Sequence, residues 1–196
     1  MPDQVVTETA PCADVLVDLD LPPVALHVCC GPCATAVIER LSPEWSVSAV
    51  WHNPNIQPSE EHARRLESMQ TVAADTGVPL AILEYDADRW LEECRALLDE
   101  PEGGRRCAVC FRMRLMRTAQ WAVEHDVETI ATTLSISPHK DVELINAIGA
   151  EVARECGLRF LIEDFKQRNG FQRSVQLSRE MCLYRQDYCG CLPSRR

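Results

Sequence analysis

From Val24 onward the chain alternates short, compact apolar runs with amphipathic stretches of helical period, and this alternation restricts it to a narrow set of architectures. A short apolar strand of this kind is covered on both faces, and helices between successive strands provide the cover as crossovers of a parallel sheet. The first strand is expected at Val24–Val28, with a helix after it over Ala34–Leu41. A second strand, Ser46–Trp51, runs into His52-Asn53-Pro54-Asn55, where two asparagines and a proline force a turn. The next helix begins after Ser59, whose hydroxyl is placed to cap it, carries Glu60 and Glu61 at the positive end of its dipole, and stops near Gly77. Further strands are expected at Pro79–Tyr85, Thr129–Leu134 and Phe160–Ile162, and further helices at Asp88–Leu98, Ala108–His125 and Asp141–Cys156. The fold class is therefore α/β: a three-layer, Rossmann-like sheet of about five mainly parallel strands, with a helical C-terminal segment.

Residues 1–22 hold three prolines, scattered acids and no sustained period, so they are expected to form a disordered extension. Residues 23–196 are read as a single catalytic α/β domain, a length that can bury one sizeable core. The first twenty residues contain five acids, no cation and no apolar run of signal-peptide length. Nothing approaches the ~20 apolar residues of a membrane span. A soluble, cytoplasmic protein with no membrane partner is expected.

Such a protein seldom accumulates cysteines without using them, and this one has eleven. Cys29 and Cys30 lie in His27-Val-Cys-Cys-Gly-Pro-Cys33, between the first strand and its helix. Adjacent residues of an extended strand point to opposite faces, so these two thiols converge only if Gly31-Pro32 bends the chain. Cys107-x-x-Cys110 sits at a helix entrance, which brings both sulfurs to one side and favours thiolate over thiol. In an open α/β sheet both pairs fall at the carboxyl edge of the strands, where ligands gather, together with the loop Ser135–His139. Four thiolates suit a structural zinc or an iron-sulfur cluster. The directly adjacent pair, embedded in the binding edge, favours the cluster over zinc.

Cys189-Gly190-Cys191 is a third constellation. The glycine allows the two sulfurs to meet in a small, strained and easily reduced ring, which suits catalysis; two free thiols near a frayed terminus are the bland alternative. Cys94 falls on the apolar face of its helix with Trp90, Leu91, Leu97 and Leu98 and reads as a small buried hydrophobe. Cys156 and Cys182 read as structural, and Cys12 as incidental.

The net charge of −10 is unevenly spread. Residues 1–100 carry 18 acidic and 5 basic side chains, whereas residues 101–196 carry 12 and 15. The second half can therefore present a basic face from an acidic protein.

Taken in order, Leu26-His-Val-Cys-Cys-Gly-Pro-Cys33, Arg106-Cys-Ala-Val-Cys-Phe-Arg112 with Arg114-Leu115, Thr132-Thr-Leu-Ser-Ile-Ser-Pro-His-Lys140, Phe165-Lys166 with Gly170-Phe171, and Ser178–Gln186 running into Tyr188-Cys-Gly-Cys191 form a pattern. It resembles that of the cobalamin-independent epoxyqueuosine reductases, which remove the epoxide oxygen in the last step of queuosine biosynthesis on tRNA. The resemblance implies that Cys29, Cys30, Cys107 and Cys110 hold a 4Fe-4S cluster, and that Cys189 and Cys191 form a redox-active disulfide. Cys33 is left to contact a second metal ion, to tune the cluster or to pack. The sheet also invites comparison with ATP pyrophosphatases. Proline and thiols stand where those proteins have a phosphate loop, however, so no ATP is expected.

An exposed iron would polarise the epoxide oxygen. Protons would come from a thiol of Cys189 or Cys191, or from His139 or Asp141. The partner would be tRNA carrying epoxyqueuosine in the anticodon loop, together with an unidentified electron donor. Phosphate contacts are expected from Arg105, Arg106, Lys166, Arg168, Arg173, Arg179 and Arg185, and base stacking from Trp51, Phe171 or Tyr184. An iron-sulfur disulfide reductase and a zinc-stabilised RNA-binding module are the competing readings.

Overall fold

The computed structural model describes residues 21–195. Residues 1–20, and with them Cys12 and nearly all of the expected extension, lie outside the described residues. The described residues form five strands, β1 (Pro23–Val28), β2 (Ser46–Trp51), β3 (Leu80–Ile82), β4 (Thr129–Thr132) and β5 (Arg159–Phe160), all parallel and ordered β3-β2-β1-β4-β5. Six helices surround them: α1 (Gly31–Leu41), α2 (Ser59–Thr76), α3 (Ala87–Cys94), α4 (Arg105–Glu124), α5 (Val142–Glu155) and α6 (Gly170–Glu180).

The two-residue period of β1 and β2 divides the interior into two cores. Val24, Leu26 and Val28, with Val47, Ala49 and Trp51, face a core shared with α1, α2 and Phe165, against which α6 packs. Ala25 and Val50 face a second core made with Phe111, Leu115 and Ala119 of α4 and Ile145, Ile148 and Val152 of α5. The sheet is therefore the middle of three layers. Strand order reverses between β1 and β4, and the crevice beyond their carboxyl ends is where a sheet of this kind takes its ligand.

The β2 limits match the sequence reading, whereas several others do not. α1 starts at Gly31, with Pro32 in its first turn, and so includes Cys33. Proline suits that position because the first helical N–H groups have no partner to lose. α4 likewise starts at Arg105, which puts Cys107 on the helix and not in the loop before it. β3 and β5 are shorter than expected because each edge strand pairs on one side only. β4 ends at Thr132 and passes into a 3-10 turn, Thr133–Ile136. Ser59 is the first residue of α2 and does not cap it; Pro58 occupies the cap without a side-chain bond. In α3, Trp90 and Cys94 are buried but Leu91 is exposed. Cys182 lies beyond α6 in an exposed left-handed turn, not in a helix.

Candidate active site

β1 delivers Cys29 and Cys30 to the carboxyl edge, and the backbone turns at once into α1. Cys30 is the N-cap of that helix, its Sγ accepting from the Cys33 N–H at 3.4 Å. Gly31 permits the turn because a Cβ there would stand 2.5 Å from the Ser68 carbonyl oxygen of α2. The bend brings the sulfurs of Cys29, Cys30 and Cys33 within 4.8 Å of one another, the only such trio of potential metal ligands among the described residues. The trio does not titrate as three ordinary thiols. Cys30 and Cys33 donate to the Cys29 sulfur, and with help from Arg114 they hold its pKa well below the usual thiol range. The same interaction, together with burial, pushes Cys30 up to about 12 and Cys33 well above its ordinary value. One negative charge is thus concentrated on Cys29, and a bound cation would draw off the remaining protons.

Cys107 and Cys110 project from the first turns of α4. Burial pushes both thiols up, so desolvation outweighs the helix dipole that the sequence reading relied on. The two pairs are joined through Arg114 and Asn53. The buried Arg114 guanidinium donates to Asn53 Oδ1 at 2.7 Å and lies 3.9 Å from Cys110 Sγ. Asn53 Nδ2 donates in turn to the Val28 carbonyl, one residue before Cys29, at 2.9 Å. A soft, sulfur-only donor set, in which Cys29 is favoured as thiolate and the other thiols are held protonated, fits a thiophilic metal centre.

The C-terminal segment closes over this edge. Gln186 Nε2 reaches Cys30 Sγ at 3.1 Å. Cys191 is buried against Trp90, Cys94 and Cys110, bearing out Cys94 as a core residue. Cys189 lines the cavity, and Lys140 Nζ lies 3.2 Å from its sulfur. Both thiols are free in this structure. Gly190 between them has φ of +137°, a conformation that L side chains rarely adopt. Arg65 fixes the segment by donating to the carbonyls of Tyr188 (3.1 Å) and Cys189 (3.0 Å) while paired with Glu61 at 2.6 Å.

These elements enclose a cavity of about 760 Å³. Cys29, Cys33, Thr133, Phe171 and Cys189 reach its wall, and its charged lining is mostly basic: Arg65, Arg114, Lys140, Arg185 and Arg195 against Glu102 and Asp187. His139 is exposed at the rim. Asp141 stands apart, its Oδ1 capping α5 through the Glu143 and Leu144 N–H groups, so its carboxylate is not presented to the cavity.

Arg106 is a clear correction: it is 1% exposed and donates to the carbonyls of Leu97, Leu98 and Glu100, so it is closed to phosphates. Trp51 is fully buried with its indole N–H on His62, and it cannot stack on a base. Arg105, Arg168, Arg179 and Arg185 are exposed. Arg173 is held by a bidentate pair with Glu39, and Lys166 Nζ by the Lys140 carbonyl. Sequence reading gave no role to Arg65 or Lys140, although Lys140 ends one of the motifs, and it gave Asn53 only a place in a turn.

A family model described as "Epoxyqueuosine reductase QueH" matches residues 24–196. The chain belongs to that family. An epoxyqueuosine reductase QueH from Streptococcus pyogenes serotype M1 is 40% identical over 177 residues, covering 87% of this chain and 69% of the relative. The QueH of Thermotoga maritima is 34% identical over 172 residues, covering 86% and 88%. Among solved structures, a predicted subunit of tRNA methyltransferase from Methanocaldococcus jannaschii superposes with a TM-score of 0.51 at 11% identity, over 78% of this chain and 75% of that one. The U34-tRNA thiolase NcsA from Methanococcus maripaludis, solved with its 4Fe-4S cluster, gives 0.50 at 13% identity, over 84% and 58%. At such identities the two structures support the α/β fold alone, whereas the QueH relatives span nearly all of the described domain.

Proposed function

We propose that the protein reduces epoxyqueuosine in tRNA to queuosine, with the modified base entering the cavity beneath the C-terminal segment. The observation that carries this reading is that, in a QueH-family chain, Cys29 and Cys33 of the sheet edge and Cys189 of the C-terminal segment line one mostly basic cavity, with Cys191 buried behind them. Removing an epoxide oxygen as water consumes two electrons and two protons. Two thiols passing to a disulfide release the same number of each, so Cys189 and Cys191 balance one turnover. An electron donor not yet identified must then restore them.

Cys29, Cys30, Cys107 and Cys110 are the residues we assign to a 4Fe-4S cluster, with Cys33 left for an additional metal ion. When bound, the cluster would supply single electrons and a Lewis-acidic iron. Thr133 Oγ1, 3.7 Å from Cys29 Sγ, helps to orient that ligand. Phe171 and Tyr188 are both aromatic residues on the cavity wall; Tyr188 is tied to the Gln57 carbonyl, which leaves Phe171 as the one placed to stack on the splayed base. Arg105, Lys166, Arg168, Arg173, Arg179 and Arg185, with Arg195, offer cations to the anticodon phosphates. Such a substrate places the protein in the cytoplasm. No helix among the described residues is long and apolar enough to cross a membrane.

The close trio of Cys29, Cys30 and Cys33 also favours a second reading, in which a single zinc ion takes three sulfurs. Anaerobic reconstitution followed by iron, sulfide and zinc analysis separates the two. The protein is then given tRNA bearing epoxyqueuosine and a chemical reductant, and the nucleosides are analysed by mass spectrometry. Queuosine should appear; its absence from protein with a full complement of iron and sulfide would overturn the proposal.

A further inference from the structure

The two thiols of the redox pair occupy unlike surroundings. Cys191 is 6% exposed and packs among Trp90, Cys94 and Cys110, and its carbonyl is tied down by Ser194. Cys189 lies on the cavity wall with an ammonium at its sulfur.

Three cations stand near Cys189, but they address different atoms. Arg65 is spent on backbone carbonyls and Glu61, and Arg114 is directed at Asn53 and Cys110. Only Lys140 Nζ reaches the Cys189 sulfur. The Lys140 side chain is 11% exposed, and a buried ammonium must find compensation. Its carboxylate neighbour, Glu102, is 4.0 Å away, farther than the sulfur at 3.2 Å. Burial alone would lower the lysine, yet the neighbouring sulfurs of the site raise it, so it remains an ammonium. Lys166 Nζ donates to the Lys140 carbonyl at 3.2 Å, which fixes the backbone from which this side chain reaches.

A thiolate is the reactive form of cysteine, and a neighbouring lysine favours it, whereas apolar burial disfavours it. We propose that Lys140 is the positioning residue that distinguishes the two thiols: it holds Cys189 as the anionic, substrate-facing sulfur and leaves Cys191 as the buried partner. This rests on the dithiol reading above and adds an order to it. Cys189 meets the substrate first, and Cys191 then closes the S–S bond from behind: the pair gives up two electrons and the Cys191 proton as the epoxide C–O bonds break, and the second proton, the one Cys189 has already shed, comes from solvent.

The test uses reduced, metal-reconstituted protein without tRNA under anaerobic conditions. Iodoacetamide forms an S–C bond as iodide leaves, and isotope-coded peptide mass spectrometry gives a rate for each cysteine. In the unaltered protein Cys189 should react about tenfold or more faster than Cys191. Lys140→Gln should slow Cys189 about tenfold, and Lys140→Arg should restore most of the rate, with iron content and melting temperature unchanged. The proposal is overturned if Cys191 reacts as fast as Cys189, a comparison that needs no variant. It is also overturned if Lys140→Gln, still folded and loaded, leaves the Cys189 rate unaltered. Turnover by Cys189→Ser would sink the dithiol reading instead, while the alkylation ratio would still report on Lys140.

Discussion

Two sets of cysteines meet at one sheet edge, and they are held there by different kinds of structure. Cys29, Cys30 and Cys33 hang from the central strand and the first turn of α1, and Cys107 and Cys110 from the first turns of α4. Cys189 belongs to residues 183–190, which form neither helix nor strand and are held by bonds from Arg65, Tyr184, Gln186 and Tyr188. Regular elements place ligands more accurately than loops do. A metal centre needs sulfurs that stay in place, whereas a pair that makes and breaks its own bond needs a backbone able to adjust. Under the proposed assignment, the contrast gives rigidity to the cysteines that would hold a metal and freedom to the pair that would form a disulfide.

The largest effects should separate these halves. Cys29→Ser or Cys107→Ser should lose iron and turnover together, as measured by metal analysis and the tRNA assay; retention of both would remove the residue from the metal centre. Cys189→Ser or Cys191→Ser should also reduce turnover to background, but with iron content and visible absorption intact. A parallel loss of iron would mean that the two halves are not distinct.

Next in size is the anchor. Arg65→Met leaves Glu61 buried beside a single tyrosine hydroxyl, and breaking a buried pair in this way costs about 3 kcal/mol, readable from denaturant midpoints. The same variant should expose the C-terminal segment to proteolysis before the domain unfolds. If strap and domain are lost in one step, the segment is as rigid as the sheet. Tyr184→Phe, which removes one hydrogen bond to Glu61, should cost about 1 kcal/mol in the same measurement.

The smallest effect is a pH slope. His62 accepts the Trp51 indole N–H and is held at about 4 by burial and by Arg65. Its folded pKa lies below the unfolded value, so below about pH 6.5 the unfolded chain takes up a proton that the folded chain refuses. Its contribution is complete above about pH 6.5 and is lost as the pH falls towards 4. His52, also held near 4 by burial, acts in the same direction. His62→Gln should flatten the slope of stability between pH 7 and pH 5, roughly the span in which free histidine titrates.

Much of this was legible in the chain. The apolar runs of β1 and β2 are central strands, buried on both faces, and periodicity is least ambiguous there. The motifs around Cys29, Cys107 and Cys189 identified the family before any coordinates did. What escaped were features set by tertiary partners. The start of α4 depends on an unpartnered first turn, which leaves no apolar pattern. The burial of Arg106 depends on the carbonyls of Leu97 and Leu98, which a charge pattern does not reveal. Asp141 looked like an acid beside a histidine, but its side chain caps a helix. Lys140 has no role in the sequence reading because nothing in its neighbourhood announces a sulfur 49 residues away.

Asn53 carries a consequence beyond turn formation. Its amide bonds to the Val28 carbonyl on one side and to Arg114 on the other, so one short side chain couples the end of β1 to the third turn of α4. Peptides at either place cannot open to solvent without disturbing the other. In hydrogen–deuterium exchange, residues 28–33 and 107–114 should therefore take up label as one cooperative unit, and an Asn53→Ala variant should split that unit in two.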